Sequence, residues 1–435
     1  MTSRISLFPI NTEVSQRGHL IIGGCDTVEL AAEYGTPLYV YDEETLRSRC
    51  QEFRNEFGQR YADTTVLYAS KAFLNRALAT IFKEEGLGLD VVSAGELSIA
   101  ESVDFPMDMV YLHGNNKSAE ELKMALKHHI ARIVVDNFDE LEMLGKLAEE
   151  AGHIPDILLR ITPGVNPHTH EHVTTGITGS KFGFPLFIAD EAVARAMSAP
   201  SLNLIGLHFH IGSLISDVQP YKEAIDTVLD FAAGMSERHG FELEELNIGG
   251  GFAVQYAVDF PVPAISVYAE VVVSRIIRRC KQLELPLPML TIEPGRAIAA
   301  QAGVALYQAG AAKEIPGLRY YITVDGGMAD NIRPALYGAK YEAVVANKMM
   351  IEEANQVTIV GRFCESGDIL VKDIELPPVS AGDIIAIPDC GAYCLPLASN
   401  YNASLKPAII MVKEGKVRPV RRRENLQDLI AYDLL

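Results

Sequence analysis

The sequence is poor in features that mark secreted, membrane-bound or metal-binding proteins. No uninterrupted apolar stretch has the length of a membrane helix, and the N-terminal residues MTSRISLFPINTEVSQRG contain no apolar signal core. The six cysteines, which form no CxxC pair, are Cys25, Cys50, Cys280, Cys364, Cys390 and Cys394. Neither a disulfide framework nor a zinc knuckle is therefore indicated, and we expect a cytoplasmic protein with reduced thiols and no metal ion.

Basic residues are also scarce. The chain has 38 lysines and arginines against 57 aspartates and glutamates, which gives a formal net charge of −19. Such a charge favours solubility and repels phosphate backbones. Nucleic acids and anionic membranes are therefore poor partners, and a phosphate-bearing ligand would have to be bound by a local cluster of donors.

What the 435 residues do contain is a regular alternation of short apolar runs and helical stretches. The eight apolar runs are TTVLYAS, LGLDVVS, DMVYLHG, ARIVVDN, DILLRIT, LIGLHFHIGS, LNIGGG and LTIEPGR. Helical spacing of apolar residues lies between them, for example over residues 72–85, 138–151 and 221–238. Eight repeats of strand and helix predict an α/β fold with a parallel (β/α)8 TIM barrel rather than an open sheet.

Both ends of the chain carry strand signals outside this alternation. In the C-terminal part the helical pattern gives way to strands and turns such as LRYYITVDGG, NQVTIVGRFC and AIIMVKEGK. Near the N-terminus, HLIIGG and PLYVYD are typical of strands. We therefore expect a second, all-β domain formed by residues 301–435 together with the N-terminal segment 1–41, and a barrel over residues 42–300.

Polar residues gather directly after the predicted barrel strands. In VLYASKAF a buried strand leads through a serine to Lys71, and an ammonium in that place needs a partner or a chemical role. Further polar positions of this kind are Asp90, Ser93, His113, Asn137, His210, Ser213, Gly249, Gly250, Gly251, Glu293, Gly295 and Arg296. Active sites of such barrels lie at the carboxyl ends of the strands, and phosphate commonly binds after strands seven and eight. These residues are therefore expected on one face.

Three groups on that face match the chemistry of pyridoxal 5'-phosphate. Lys71 suits a Schiff base, and Glu293 suits a protonated pyridine nitrogen. Backbone N–H groups of the glycines after strands seven and eight suit a phosphate, to which Arg296 would add positive charge. Each group also has a commoner structural explanation, since glycines serve tight turns and a buried carboxylate can pair with an arginine. Their combination favours the cofactor.

The run HFHIGS places His208 and His210 on the same side of an extended segment. We interpret His208 as barrel packing and His210 as a ring that lies flat against the cofactor, with Ser213 adding a phosphate hydrogen bond. The HTHEH run at residues 168–172 has the spacing of a loop edge rather than of convergent metal ligands. No metal site is expected there.

Short motifs recur along nearly the whole chain: YASKA, HTHEHVTTG with SKFGF, HFHIGS, IGGGF, EPGR, GGMADNIRPALYGA, CESGD, and GAY with SNYN. In this order they resemble the diaminopimelate decarboxylases, of the alanine-racemase-like (fold type III) group of pyridoxal phosphate enzymes. The resemblance implies decarboxylation of meso-2,6-diaminopimelate to L-lysine, the last step of lysine biosynthesis, by a homodimer with shared active sites.

The resemblance also implies roles for individual residues. Lys71 would carry the cofactor, His210 would stack on its ring, and Glu293 would pair with its nitrogen. Contacts in the phosphate region would come from Gly251, Gly295, Arg296 and Tyr393. Contacts to substrate would come from Arg296, Arg333, Tyr337, Glu365 and Tyr393. Cys364 would be a proton donor that the neighbouring chain delivers.

Three alternatives use the same barrel. A decarboxylase of the arginine or ornithine type would bring a purely cationic distal group, which Arg333 would repel, whereas a distal carboxylate suits a bidentate guanidinium. An amino-acid racemase would need a base on each face of the ring and would lack CESGD. A catalytically inactive relative with a regulatory partner need not keep Lys71, Glu293 and Cys364.

Two places depart from the pattern of the family. Leu214 follows HIGS where glutamine is frequent, and Cys394, Leu395 and Pro396 follow GAY where many members have a glycine and a different loop. Neither departure touches the residues expected to bind the cofactor. They bear on the shape of the loop beside Tyr393 and on selectivity for substrate.

Overall fold

The computed structural model describes residues 2–166, 176 and 179–434. The chain divides into two compact units. The barrel unit comprises Cys50–Ala253 and Val262–Gly295, and the sheet unit comprises Met1–Arg49, Val254–Pro261 and Arg296–Leu435. The HTHEH run at residues 168–172, where we expect no metal site, lies outside the described residues.

Eight parallel strands close into a ring in the barrel unit. They are β1 (Thr64–Ala69), β2 (Gly88–Val91), β3 (Val110–Leu112), β4 (Arg132–Val135), β5 (Asp156–Thr162), β6 (Asn203–His208), β7 (Glu245–Asn247) and β8 (Met289–Ile292). Each strand pairs with the next, and β8 pairs with β1 through Ile292 opposite Val66. A short strand, Phe184–Pro185, adds to β5. The predicted (β/α)8 barrel is confirmed.

A helix follows each of the first seven barrel strands. These helices are α1 (Arg76–Glu84), α2 (Ala94–Glu101), α3 (Ala119–Lys127), α4 (Phe138–Ala151), α5 (Leu186–Ser198), α6 (Gln219–His239) and α7 (Ile265–Leu283). Asn75 caps α1 by accepting from the Leu78 N–H, so this helix begins later than the predicted residue 72. Ser93 and Asn137, expected among the polar residues of the site, cap α2 and α4 in the same way.

Apolar side chains fill the middle of the barrel. Leu67, Tyr111, Val134, Leu158 and Ile205 form a buried cluster that draws on five of the eight strands. Near the amino ends of the strands, Arg132 Nε lies 2.8 Å from Glu245 Oε2. The interior is thus a packed core rather than a pore, and its carboxyl face remains for chemistry.

The sheet unit is built on a strand from each end of the chain. The strand order is Ile369–Leu376, Asn355–Val360, Arg319–Val324, Gly303–Ile315, Leu38–Asp42, Ala408–Lys413 and Lys416–Arg421. Ile384–Ile387 pairs with both Gly303–Ile315 and Val344–Val345. The N-terminal strand Leu38–Asp42 is antiparallel to Gly303–Ile315 and parallel to Ala408–Lys413. The prediction that the N-terminal segment joins the C-terminal sheet is confirmed.

Smaller elements complete the chain. A three-stranded antiparallel sheet consists of Glu13–Val14, Leu20–Ile22 and Cys25–Asp26. Further helices are Thr27–Tyr34, Glu43–Gly58, Arg296–Ala299, Arg333–Tyr337 and Leu426–Ile430, and 3-10 turns are Thr2–Leu7, Ser70–Ala72, Met107–Met109, Leu395–Leu397 and Tyr401–Ala403. Within the described ranges, no helix has both the length and the apolar character needed to cross a membrane.

Candidate active site

Lys71 lies just beyond the carboxyl end of β1, in the 3-10 turn Ser70–Ala72. Its Nζ is 3.3 Å from Oδ2 of Asp90, and the lysine side chain is 40% exposed while that of Asp90 is 1% exposed. Asp90 belongs to the neighbouring strand β2, where it stands opposite Ala69. The pairing of β1 with β2 therefore brings a carboxylate to an amine that solvent and ligands can reach.

Glu293 follows β8 directly and is surrounded by polar partners. Asn247 Nδ2 donates to Glu293 Oε1 at 2.8 Å. His113 Nε2 lies 3.0 Å from Oε1, and His208 Nε2 lies 3.4 Å from Oε2. Burial opposes ionisation of this carboxyl, but the attraction and hydrogen bonds of His113 and His208 outweigh it and keep the pKa of Glu293 well below its ordinary value. The barrel unit therefore holds a buried carboxylate ready for a cationic or N–H donor.

Of the partners of Glu293, Asn247 was not named from the sequence, and His113 was placed only among the polar residues after the strands, without a role. Their position at the carboxyl ends of strands could have indicated a role in the site, because His113 follows β3 and Asn247 ends β7. His208, interpreted as barrel packing, contacts Glu293 instead, and burial lowers the pKa of His208 to about 4. Ligand atoms of His113, His208 and Glu293 all lie within 4.8 Å of one another, so this donor set has the composition of a metal site as well.

His210 presents a neutral imidazole. Burial, followed by the charges of Lys71 and Arg160, lowers the pKa of His210 well below its ordinary value. The Gly250 N–H donates to His210 Nδ1 at 3.1 Å, which places the ring proton on Nε2. A Cβ on Gly249, whose φ is 68°, would lie 2.8 Å from Nδ1. The glycine after β7 therefore lets the backbone fix the orientation and tautomer of the ring.

The remaining predicted glycines are packed closely against their own unit. A Cβ on Gly250 would lie 2.2 Å from the carbonyl oxygen of Glu293, and one on Gly295 would lie 2.9 Å from Cβ of Ala69. Gly251 has a φ of 108°, which side chains rarely adopt. Packing alone therefore requires these glycines, and their predicted contact with phosphate, like that of Ser213, stays a prediction.

In the sheet unit, Arg296 and Arg333 share one phenol. Both are buried, and the NH1 group of each donates to the hydroxyl of Tyr256 at 3.0 Å. Arg333 NH1 also donates to the hydroxyl of Tyr341. The Tyr393 ring centroid lies 4.5 Å from Arg296 Cζ, and the φ of 61° at this tyrosine is uncommon for a residue with a side chain. Two predicted arginines are thus held together by aromatic residues, of which Tyr256 and Tyr341 were missed.

Arg333 opens the helix Arg333–Tyr337, which also contains the predicted substrate residue Tyr337. Considering only the described residues, its guanidinium has no carboxylate within 4 Å, and its buried Nε has no hydrogen-bond partner. Tyr341, which contacts Arg333, lies 3.5 Å from the sulfur of buried Cys394. Cys394, where the sequence departs from the family, is therefore buried and contacts the tyrosine that binds Arg333.

Cys364 and Glu365 are exposed residues of the same unit. The Cys364 N–H donates to Oδ1 of Asn402 at 3.4 Å, and Glu365 Oε1 accepts from the Tyr401 hydroxyl at 2.5 Å. Asp368 accepts from the backbone N–H groups of Met328 and Phe363 at 2.7 and 2.8 Å. Asp368 thus shapes the CESGD turn, which leaves the thiol of Cys364 on the surface.

Comparison with known proteins gives consistent results. A family model described as pyridoxal-dependent decarboxylase, pyridoxal binding domain, matches residues 43–300. Diaminopimelate decarboxylase of Bacillus subtilis (strain 168) is 44% identical over 422 residues, covering 97% of this chain and 96% of the relative. That of Actinosynnema pretiosum subsp. auranticum is 45% identical over 432 residues, covering 98% and 95%. The crystal structure of diaminopimelate decarboxylase from M. jannaschii in co-complex with L-lysine matches with a TM-score of 0.92 and 35% identity, covering 98% of both chains.

Proposed function

Since this chain belongs to the diaminopimelate decarboxylase family, we propose that its strand-end residues and its arginine pair perform that reaction in the roles given below. The chain is a pyridoxal phosphate-dependent carboxy-lyase that converts meso-2,6-diaminopimelate to L-lysine, the last step of lysine biosynthesis. The observation that carries the residue roles is the ionised Glu293 among its donors in the same barrel unit as Lys71.

The residues of the barrel unit fit pyridoxal phosphate. Lys71 offers an accessible amine, and Glu293 offers a carboxylate for a protonated ring nitrogen. Two buried oxygens, Ser70 Oγ and Asp90 Oδ1, have no hydrogen-bond partner among the described residues, as expected where a polar ligand completes the site. The neutral ring of His210 can lie against an aromatic face without adding charge.

When bound, pyridoxal phosphate supplies an aldehyde for amines and a ring that accepts the electron pair left by carbon dioxide. Lys71 Nζ would hold the cofactor through its aldehyde, and as an accessible amine it would exchange with the amine of the substrate. Asp90, 3.3 Å from that Nζ, keeps the amine oriented. Glu293 keeps a proton on the ring nitrogen. The positive charge of the protonated nitrogen makes the ring an electron acceptor. His210 restricts the ring from one face.

The sheet unit serves the substrate in this proposal. Arg333 binds the carboxylate that is not lost, Arg296 and Tyr393 serve the phosphate region and the substrate, and Tyr337 and Glu365 are further substrate contacts. Cys364 Sγ returns a proton to the α-carbon after carbon dioxide has left. We assign Cys364 and Glu365 to the neighbouring chain of a homodimer, and we expect the enzyme to work in the cytoplasm.

One assay tests the proposed function. Purified protein is incubated with pyridoxal phosphate and meso-2,6-diaminopimelate, and lysine and carbon dioxide are measured; both are expected in equal amounts. Arginine and ornithine are supplied in parallel, and neither is expected to react, because Arg333 repels a purely cationic distal group. Turnover of arginine or ornithine in preference to diaminopimelate would contradict the assignment.

A further inference from the structure

The hydroxyl of Tyr256 has an unusual position between two buried cations. Arg296 NH1 and Arg333 NH1 each donate to it at 3.0 Å. The two arginines are 7% and 3% exposed. Guanidinium groups that share one acceptor repel each other, and burial strengthens that repulsion. The hydroxyl therefore determines how far apart the two cations lie.

The hydrogen-bonding capacity of a phenol limits what else Tyr256 can do. A phenol oxygen accepts through two lone pairs and donates one proton. The two arginines use both lone pairs, so only the O–H of Tyr256 remains. In the part of the chain that the structure describes, no group accepts that proton, and Arg333 Nε is likewise without a partner. Two donors, the Tyr256 O–H and the Arg333 Nε–H, are therefore available to a negatively charged acceptor.

Ring contacts keep this arrangement rigid. The Tyr256 ring meets the Tyr341 ring edge to face at 5.4 Å. Arg333 Cζ lies 4.9 Å from the Tyr256 ring centroid and 5.5 Å from that of Tyr341. The hydroxyl of Tyr341 contacts Arg333 alone of the two arginines, whereas that of Tyr256 contacts both. Tyr256 is therefore the residue that joins them.

We propose that Tyr256 determines substrate specificity: its hydroxyl spaces Arg296 and Arg333 and donates its proton to the carboxylate of the substrate that is not lost. The inference rests on the proposed function, because it takes Arg333 as the ligand of that carboxylate. A carboxylate offers enough lone pairs to accept from Tyr256 and from Arg333 at once. A distal group without a carboxylate would leave the Arg333 Nε–H buried and unpaired and the Tyr256 O–H without its proposed acceptor.

The test variant is Tyr256→Phe, which keeps the ring and its contacts with Arg333 and removes only the hydroxyl. We expect KM for meso-2,6-diaminopimelate to rise about tenfold with kcat changed less than about threefold, as for a binding contact to a charged group. L-lysine keeps the carboxylate in question and cadaverine lacks it. Inhibition by L-lysine should therefore weaken about tenfold in the variant, while inhibition by cadaverine stays unchanged.

Three measurements accompany this test. Tyr341→Phe should raise KM less than Tyr256→Phe does, because its hydroxyl contacts one arginine. Tyr432→Phe, at a position that is 93% exposed, is the matched control and should behave as wild type. The dissociation constant of pyridoxal phosphate should be the same in Tyr256→Phe and wild type, since the proposed acceptor is the substrate.

The outcomes separate this inference from the proposed function. If wild type does not decarboxylate diaminopimelate, the proposed function is wrong. If wild type is active and a folded Tyr256→Phe protein binds diaminopimelate and L-lysine as wild type does, the inference is wrong. Equal weakening of L-lysine and cadaverine, or weakened binding of pyridoxal phosphate, would also overturn it, because the hydroxyl would then not recognise the carboxylate.

Discussion

Two charged side chains in this protein are buried to the same extent but have opposite surroundings. Glu293 of the barrel unit is 3% exposed and is met by Asn247 and two histidines. Arg333 of the sheet unit is also 3% exposed, yet it contacts only neutral phenols, and the described residues offer it no carboxylate within 4 Å. A buried charge needs hydrogen bonds and a counter-charge to be stable. The barrel unit therefore surrounds its buried charge with hydrogen-bonding side chains, whereas the described part of the sheet unit places no carboxylate in contact with Arg333.

This difference separates two kinds of functional residue. The carboxylate of Glu293 is kept ionised by its own unit, so its electrostatic effect is present before any ligand arrives. Arg333 has no carboxylate within 4 Å among the described residues, so in the proposed function its partner is the carboxylate of the ligand and its contribution is to binding. Variants in the barrel unit should therefore lower kcat, and variants around Arg333 should raise KM.

Among variants of the barrel unit, Lys71→Ala should have the largest effect on activity. Activity should fall below detection, because among the described residues of the barrel unit no other group offers an accessible amine in that place. The covalent link is checked by borohydride reduction of the wild-type protein with bound cofactor, followed by peptide mapping. The label should be found on Lys71, and a label elsewhere would contradict the assignment.

Lys117 provides an internal comparison for that mapping. It follows β3, so a second lysine lies near a strand end. Its Nζ donates to the carbonyl oxygens of Gly114 and Val134 and to Glu140 at 2.6–2.8 Å, and the side chain is 1% exposed. All three protons of the ammonium are used, so Lys117 should remain unlabelled.

Glu293→Gln should have the next largest effect. A neutral amide cannot keep the ring nitrogen protonated, so kcat should fall about 100-fold or more, while pyridoxal phosphate still binds. Single-turnover kinetics and a cofactor titration measure the two effects separately. Glu244→Gln, a change at an exposed position, is the matched control. Near-normal turnover of Glu293→Gln would refute the role of the carboxylate.

Arg333→Ala tests the other side of the comparison. KM for diaminopimelate should rise about 100-fold, because a charge-assisted bidentate contact is lost, and kcat should change much less. Arg333→Lys keeps the charge without the planar fork and should fall between wild type and Arg333→Ala. Arg17→Ala, on a side chain that is 74% exposed, is the control. Unchanged catalytic efficiency in Arg333→Ala would remove the best support for the substrate assignment.

The two sides also differ in how far the sequence could predict them. Each barrel strand has a polar residue at its carboxyl end or within two positions beyond it, so the strands, and with them the places of Lys71 and Glu293, follow from local patterns. The partners of Glu293 do not. Asn247 and His208 lie 46 and 85 positions away along the chain, and only the register of the closed barrel brings them to the carboxylate.

The side-chain contacts of the sheet unit were still harder to predict, because they too join residues that are far apart along the chain. Tyr256 lies 77 positions from Arg333 in an irregular segment, and no periodicity connects the two. Arg296 followed from its place after the eighth strand and Arg333 from the resemblance to a family, but neither source indicated Tyr256 or Tyr341. Side chains that bind other side chains, rather than the ligand itself, leave no spacing signal, so only the folded arrangement identifies them.

The smallest expected effect, about a fourfold loss of activity relative to wild type, belongs to a mixing experiment. It tests whether the residues of one active site belong to one chain. In the proposed homodimer, Cys364 of the sheet unit serves the neighbouring chain, and Lys71 of the barrel unit serves its own. Mixing Lys71→Ala with Cys364→Ala should then produce mixed dimers with one intact site and one site that lacks both groups. Random equal mixing should restore about a quarter of wild-type activity, because half of the dimers are mixed and each has one working site.

The control for this mixture uses two variants of the same unit. Lys71→Ala mixed with Glu293→Gln leaves a fault in the barrel unit of every site, so activity should not exceed that of Glu293→Gln in the same amount. Subunit exchange is verified first, by mass spectrometry of differently labelled chains. If exchange occurs and the Lys71→Ala and Cys364→Ala mixture stays inactive, Cys364 acts within its own chain or not at all.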